Sequence, residues 1–274
     1  MIDVVISGAP GRMGRSVSRA VASVDDMQLV GALGAPGRPY IGEDIGTLLG
    51  IGPQNVLIDE DIEAVLRPDR TWVEFSTPAA TIAHAERVKD LGIPLVIGTT
   101  GLTESEKEKI AVWSDRMVCL FAPNMSIGAN LLFKLAETVS RTLPDFDVEI
   151  IEAHHRFKRD APSGTANHLA ECIAHARSRV LPDVAAYGRD PSRGARQSDE
   201  IGIHAVRAGD IVGEHTVLFG GLGERIEITH RVQSSDTFAY GTIQAIRFLQ
   251  NQPPGLYTMA DVIEHIGAAQ KNEE

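Results

Sequence analysis

In the run Glu152-Ala153-His154-His155-Arg156-Phe157-Lys158, two adjacent imidazoles and an amine stand close together. Such groups move protons near neutral pH. Directly after them comes Asp160-Ala161-Pro162-Ser163-Gly164-Thr165-Ala166, which leads into a helical apolar pattern over residues 166–177. A Ser or Thr at a helix start caps one of its first N–H groups. The remaining N–H groups and the positive end of the helix dipole attract an anion. The chemistry on offer is proton transfer beside a bound anion. A solvated basic loop with an ordinary helix start would account for Ser163 and Thr165 alone. It leaves the imidazoles, the amine and the turn together without a reason.

The groups in that stretch need a strand before them and a helix after them. Val148-Glu149-Ile150-Ile151 supplies the strand. Further upstream, Ile2-Asp3-Val4-Val5-Ile6-Ser7 is a β-branched run followed by Gly8-Ala9-Pro10-Gly11-Arg12-Met13-Gly14 and an apolar helical pattern. Strand, glycine turn and helix open a dinucleotide-binding βαβ unit, because the turn is tight and the backbone must approach a pyrophosphate closely. The glycine spacing is G-x-x-G-x-x-G, and a purely structural turn is the alternative. A second strand over residues 28–33 runs into Gly34-Ala35-Pro36-Gly37-Arg38, with no carboxylate where an NAD-type site places one for the ribose. The nearest acids, Glu43 and Asp44, come later, and Arg38 and Arg12 are candidates for a 2′-phosphate.

Further strands are expected over residues 56–58, 71–75, 94–97 and 117–121. Ser76 or Thr77 can cap one intervening helix, and Thr103 with Glu106 forms a capping box for another. Alternating strands and helices describe a doubly wound parallel sheet, whose ligands sit outside the carboxyl ends of the strands. Gly98-Thr99-Thr100 and Ala122-Pro123-Asn124-Met125 fall on that edge with the first glycine turn. A long helical pattern over 127–143 leads to a second region, where β-rich runs at 201–206, 215–219 and 225–230 join 148–151 in a mixed or antiparallel sheet. Residues 182–198 read as a surface loop, and 238–249 and 259–266 as terminal helices. The expected architecture is therefore α/β: an N-terminal Rossmann-like doubly wound parallel sheet plus a C-terminal α+β domain with a mixed open sheet. The boundaries are 1–126 for the dinucleotide-binding domain, with helices in 238–274 packing back on it, and 127–237 for the substrate-binding and oligomerisation domain.

At 274 residues the chain is long enough for two modest domains. Its net charge of −11 argues against a nucleic-acid partner. Cys119 and Cys172 lack pairing or metal spacing and read as buried thiols in a reducing compartment. No leader pattern precedes Ile2 and no apolar run is long enough to span a membrane, so a cytoplasmic location is expected.

With its spacing, the stretch from Glu152 to Ala166 closely resembles the signature of the 4-hydroxy-tetrahydrodipicolinate reductase (dihydrodipicolinate reductase) family. The similarity includes the Gly8 turn with Arg12-Met13, the Gly98-Thr99-Thr100-Gly101 stretch and the Ala122-Pro123-Asn124 turn. It continues in Arg207-Ala208-Gly209-Asp210-Ile211-Val212-Gly213-Glu214-His215-Thr216 and in Gly223-Glu224-Arg225-Ile226-Glu227-Ile228-Thr229-His230. The resemblance implies NADPH- or NADH-dependent reduction of a cyclic dicarboxylate in diaminopimelate and lysine biosynthesis, with the dinucleotide bound as a substrate and no metal. It implies His154 as proton donor and acceptor and Lys158 as proton donor, with His155, Ser163, Gly164 and Thr165 holding carboxylates. It also implies a cofactor on Gly8, Ala9, Pro10, Gly11, Arg12 and Met13, on Gly98, Thr99 and Thr100, and on Ala122, Pro123, Asn124 and Met125. Members are usually homotetramers joined through the C-terminal sheet, which the resemblance implies for this chain. The chain departs from the family at Gly34 and Ala35, where an acidic residue is usual, which leaves the choice of dinucleotide open.

Three other readings compete. A hydrolase could use His154 and His155 as metal ligands, but neighbouring side chains on a strand point apart and no third ligand is suitably spaced. A redox sensor could keep a dinucleotide fold without chemistry, yet it would not need His154, Lys158 and an anion turn together. A related NAD(P)-dependent oxidoreductase on another small carboxylic acid is the strongest alternative, since fold does not fix substrate.

Overall fold

The computed structural model describes residues 1–189 and 191–271. The first apolar run forms β1 (Ile2–Ser7), and the glycine turn leads into α1 (Arg12–Ala22). β2 (Met27–Leu33) pairs parallel with β1. Then come α2 (Ile45–Leu49), β3 (Ile58–Asp59), α3 (Ile62–Val65) and β4 (Arg70–Glu74). Thr77 caps α4 (Pro78–Val88) by accepting the Ala80 N–H at 3.3 Å. β5 (Leu95–Ile97) precedes α5 (Glu104–Trp113), which opens on the reciprocal Thr103/Glu106 capping box, and β6 (Val118–Phe121) follows.

The second part contains α6 (Ile127–Thr142), β7 (Asp147–His154), α7 (Gly164–Ala176), α8 (Leu181–Val184), β8 (Ala185–Tyr187), β9 (Ile201–Arg207), β10 (Gly213–Gly220) and β11 (Arg225–Val232). The chain then returns to the first sheet through α9 (Asp236–Leu249), β12 (Gly255–Tyr257) and α10 (Met259–Lys271).

The chain divides into two compact units: residues 1–127 with the segment from Asp236 onward, and residues 128–235. The first holds a seven-stranded parallel sheet in the order β3-β2-β1-β4-β5-β6-β12. That is the doubly wound order of dinucleotide-binding folds. Helices cover both of its faces, so central strands are buried on both sides: Val4, Val5, Ile6, Leu95, Val96 and Ile97 are all fully buried. This explains why they read as continuous apolar runs rather than alternating ones.

The second unit holds a mixed five-stranded sheet in the order β11-β10-β7-β9-β8. β7 alternates, burying Val148, Ile150, Glu152 and His154 on one face. Val148 and Ile150 pack there with Leu132 and Phe133 of α6 and Leu169 and Ile173 of α7. The opposite face is open, with Ile151 and Val206 both exposed.

Four sequence expectations are corrected. The strand expected at 56–58 lies instead at Ile58–Asp59, because the Asp44 carboxylate takes the Gln54 and Val56 N–H groups before the ladder begins. Residues 182–198 are not a plain loop. Within them, β8 pairs parallel with β9, a 3-10 turn forms at Pro191–Arg193, and Arg196 spans to Asp147 and Glu149. These residues are ordered by partners distant in sequence, which their Arg- and Gly-rich composition does not reveal. Asp190, which falls in this span, and residues 272–274 of the expected C-terminal segment lie outside the described residues. β12 was not foreseen, since Gly255-Leu256-Tyr257 is too short to show a period. Finally, Cys119 is buried but Cys172 is only half-buried on α7, beside His168. Among the described residues, no helix is long and apolar enough to cross a membrane.

Candidate active site

In the first unit, the carboxyl ends of the parallel strands carry the anticipated glycine turns. Gly8 has φ +75°, and a Cβ there would lie 2.4 Å from the Phe75 carbonyl oxygen. A Cβ on Gly14 would lie 2.1 Å from the Gly8 carbonyl oxygen, so α1 approaches the turn at a distance only glycine permits. Gly11 is the N-cap of α1 and offers no side chain to its first N–H groups. The helix start is thereby left able to bind phosphate oxygens. Beside it, Arg12 and Met13 line an open cavity of about 330 Å³ with Gly98, Thr99, Thr100, Pro123 and Met125. Ala122 is buried behind it, and the Asn124 carboxamide oxygen accepts the Ser126 N–H at 2.9 Å, which shapes the turn. Phe75, Ser76 and Phe238 also line this cavity. Sequence reading did not place them at a site: Ser76 was read only as a candidate helix cap, and nothing in the local pattern of Phe75 or Phe238 distinguishes a lining ring from a core one.

Just past β2, Gly34 has no room for a side chain. The Tyr40 ring occupies the space, so that a Cβ on Gly34 would lie 2.4 Å from Tyr40 Cε2. The Tyr40 hydroxyl accepts the Ala35 N–H at 3.1 Å, and Glu60 Oε2 accepts the Gly37 N–H at 2.7 Å. Arg38 lies exposed in the same turn.

In the second unit the groups expected from the sequence to transfer protons are built around a carboxylate. Glu152 is fully buried one alternation before His154, so both side chains share the inner face of β7. Its Oε2 lies 2.6 Å from His154 Nδ1, and its Oε1 accepts the Ser163 N–H at 3.0 Å. Arg207, at the end of β9, donates to both carboxylate oxygens at 2.7 Å. Such bidentate charge-assisted pairing fixes geometry as well as charge. With Nδ1–H given to Glu152, His154 Nε2 carries the ring's lone pair. That nitrogen sits against Gly213, where an added Cβ would lie 3.1 Å away.

Lys158 follows in a turn closed by its own N–H to the His155 carbonyl, and its Nζ lies 3.0 Å from Asp160 Oδ2. The ammonium therefore hangs beside the anion turn. His155 sits just past the strand, half-buried, with its carbonyl used by Lys158. A cis Ala161–Pro162 bond leads into Ser163, the N-cap of α7. Ser163 is almost fully buried, and its Oγ accepts the Ala166 N–H at 3.1 Å and meets His215 Nε2 at 3.1 Å. Both its N–H and its hydroxyl are thus committed within the fold. The groups facing solvent at this helix start are the exposed Gly164 and the half-buried Thr165.

The electrostatics follow from this wiring. Burial opposes a charged Glu152, but Arg207, His154 and the Ser163 N–H outweigh it and hold the carboxyl below its usual range. Burial, aided by the charges of Lys158 and Arg207, lowers the His154 imidazole despite the pull of Glu152, so the ring is neutral at pH 7. His215, packed edge-on to His154 at 5.2 Å, is pushed from 6.5 down to about 4 by burial and then by His154. A depressed base means the unfolded chain binds the extra proton first. Stability is therefore complete above pH 6.5 and falls as the pH drops toward 4. The shift corresponds to about 3 kcal/mol. Urea unfolding of the wild type should show that loss between pH 7 and pH 4, with a shallower slope in His215→Asn. Equal slopes would remove His215 as the cause.

Arg207 and His215 were visible only as members of a similar stretch, without roles. The available signal was their place at the end of one alternating run and near the start of the next, each beside a Gly-rich turn. Among the described residues, no group of three or more His, Cys, Asp and Glu side chains could hold a metal ion.

Comparison with known proteins finds relatives that span both units. Residues 2–125 match the family model described as dihydrodipicolinate reductase, N-terminus, and residues 128–263 match dihydrodipicolinate reductase, C-terminus. The chain is 47% identical over 263 residues to the 4-hydroxy-tetrahydrodipicolinate reductase of Nitrosomonas europaea, covering 96% of this chain and 98% of that one. The corresponding reductase of Thiobacillus denitrificans is 46% identical over 96% of this chain and 98% of its own length. Among solved structures, the dipicolinate-bound dihydrodipicolinate reductase of Paenisporosarcina sp. TG-14 superposes with a TM-score of 0.77 at 28% identity, covering 94% of this chain and 97% of that one. With the two family models matching residues 2–125 and 128–263 and such relatives aligned over nearly the whole chain, this protein belongs to the dihydrodipicolinate reductase family.

Proposed function

We propose that the chain reduces 4-hydroxy-tetrahydrodipicolinate to tetrahydrodipicolinate with NADPH or NADH, a step of diaminopimelate and lysine biosynthesis. The observation that carries this reading is the cluster in the second unit. A neutral His154 held by Glu152, the Lys158 ammonium and the Gly164 start of α7 occupy one end of β7. Family membership supplies the substrate class, and the relative from Paenisporosarcina was solved with dipicolinate, a planar analogue of such a ring.

The bound dinucleotide supplies a hydride. The chain's own residues do the rest. Overall the substrate gains a hydride and a proton and loses its 4-hydroxyl as water, and the Lys158 ammonium donates the proton that balances the charge left on the ring. His154 Nε2 holds its lone pair ready to accept and pass on protons, and Glu152 stabilises the imidazolium when it forms. Gly164 and Thr165 hold one carboxylate at the helix start, with His155 alongside, while Ser163 fixes the turn from behind. The pyrophosphate lies on Gly8, Ala9, Pro10, Gly11, Arg12 and Met13, and the nicotinamide end is held by Gly98, Thr99 and Thr100 with Ala122, Pro123, Asn124 and Met125. Arg38 offers a cation to a 2′-phosphate near Gly34.

In this reading residues 1–126, with helices in 238–274, form the dinucleotide-binding domain, and 127–237 bind substrate and oligomerise. The open face of the second sheet supports a homotetramer. Ile151 and Val206 lie on it together through the pairings Ile151↔His204 and Ala153↔Val206, and both are exposed. The site of action is the cytoplasm.

Steady-state kinetics test the assignment. Reduced nicotinamide should be consumed only when 4-hydroxy-tetrahydrodipicolinate is present, with both NADPH and NADH active. Absence of substrate-dependent consumption with either would refute it.

A further inference from the structure

A buried Glu–His hydrogen-bonded pair lies outside the proton-transfer cluster. Glu74, at the end of β4, is fully buried in the first unit. Its Oε2 accepts from Trp72 Nε1 at 3.1 Å and lies 2.8 Å from His84 Nδ1 on α4, whose ring is largely buried. Its Oε1 accepts the Ser76 N–H at 3.2 Å and the Ser76 hydroxyl. Ser7, ending β1, places its Oγ 3.2 Å from the same His84 nitrogen and gives its carbonyl to the Phe75 N–H. The Glu74 carbonyl in turn accepts from the Gly98 N–H at 3.0 Å and from Thr99 Oγ1 at 3.4 Å. The carboxyl ends of β1, β4 and β5 are thus tied to one another through Glu74.

The residue between these ties is Phe75. Its carbonyl sits where a Cβ of Gly8 would be, and its ring lies against Gly98, whose Cβ would meet Phe75 Cε1 at 2.1 Å. Phe75 and Ser76 both line the cavity beside Arg12 and Thr100. Burying a carboxylate is costly unless every oxygen is satisfied. A plain apolar residue would end β4 at less cost. We propose that Glu74 and His84 are positioning residues for the dinucleotide: the carboxylate, oriented by His84, sets the Phe75-Ser76 turn against the Gly8 and Gly98 turns in the geometry that binds the nicotinamide end.

The arrangement is sensitive to a single atom. In Glu74→Gln one oxygen becomes an NH₂. Placed at Oε1 it faces the Ser76 N–H, and placed at Oε2 it faces the Trp72 N–H. Neither of those donors can turn into an acceptor, so either orientation breaks the network. His84→Phe keeps the edge-on packing against Trp72 at 5.6 Å but removes the nitrogen. His84→Asn sets an amide nitrogen where Nδ1 stood and restores the donor.

The inference rests on the reading of the first unit as the dinucleotide site, and direct binding separates the two. Kd for NADPH, NADH and dipicolinate is measured by calorimetry on the full-length wild type and each variant. Glu74→Gln and His84→Phe should weaken both dinucleotides ~10-fold, as loss of a buried hydrogen bond implies. Kd for dipicolinate should not move, and His84→Asn should recover most of the dinucleotide affinity. A general loss of packing would not weaken one ligand alone or be reversed by His84→Asn. Unchanged dinucleotide Kd in both disrupting variants overturns the proposal, as does equal weakening of dipicolinate. If Glu74→Gln fails to fold, His84→Phe against His84→Asn decides. A wild type that binds neither dinucleotide overturns the functional reading itself, and this proposal with it.

Discussion

Lys158→Ala is expected to lower turnover of 4-hydroxy-tetrahydrodipicolinate by ~10²- to 10⁴-fold, the usual worth of a positioned general acid. His154 cannot replace the lost donor. Its Nδ1 proton is held by Glu152, and with Lys158 removed burial and the Arg207 charge still lower the affinity of its ring for a second proton. The ammonium is the protonated group available beside the anion turn, where Asp160 Oδ2 holds it at 3.0 Å. Removing it should leave dinucleotide binding intact, since the first unit is untouched. The discriminating measurement is kcat together with the Kd for NADPH. A variant with near-normal kcat would assign the proton to water or to another residue. One with lost NADPH affinity would mean that Lys158 acts through binding rather than as an acid.

The second large effect concerns stability. Arg207→Ala leaves the fully buried Glu152 without its two guanidinium hydrogen bonds. Breaking one side of a buried pair costs ~3–5 kcal/mol, because the remaining charge is uncompensated. The pH dependence carries the diagnostic sign. In the wild type the Glu152 carboxyl titrates below its unfolded value, so its stabilisation is present above that value and is lost as the pH falls through the folded one. Without Arg207, burial becomes the dominant influence and raises the carboxyl instead. The charged form then destabilises the fold above the unfolded pKa of ~4.3. Urea unfolding should therefore show the gap between wild type and Arg207→Ala widest near neutral pH and narrowing below about pH 4. The double variant Glu152→Gln/Arg207→Ala should recover part of the loss, because it removes the orphaned charge. A gap that is flat with pH would mean that Arg207 contributes packing rather than charge.

Both effects depend on residues that differ in how far the sequence announces them. Lys158, His154 and the Ser163-Gly164-Thr165 turn are contiguous, and their spacing alone indicates proton transfer beside an anion. The caps were equally local: Thr103 with Glu106, Thr77 before Pro78, and Ser163 before Ala166 each bond within three residues. The seven parallel strands followed from β-branched runs separated by helical periods, apart from the short β12 and the displaced β3. Where an element has no period of its own, as in 182–198, composition suggested a loop and the fold gave a strand, short helices and ion pairs.

By itself, then, the sequence indicated the doubly wound sheet, the mixed second sheet, the glycine turns and a stretch whose residue types suit proton transfer beside an anion. These are consequences of local periodicity, backbone freedom and capping, which act over a few residues. Only the tertiary structure decided how those groups are held. Glu152 meets Arg207 across 55 residues because strand register sets β9 and β10 beside β7, and Ser163, the N-cap of α7, meets His215 across 52. That pairing commits His154 Nδ1 to Glu152 and gives the Ser163 N–H and hydroxyl partners within the fold. The same holds at the end of β4, where a buried carboxylate ties three strand ends together. Charge in a buried place is governed by its neighbours in space, and those neighbours come from distant parts of the chain.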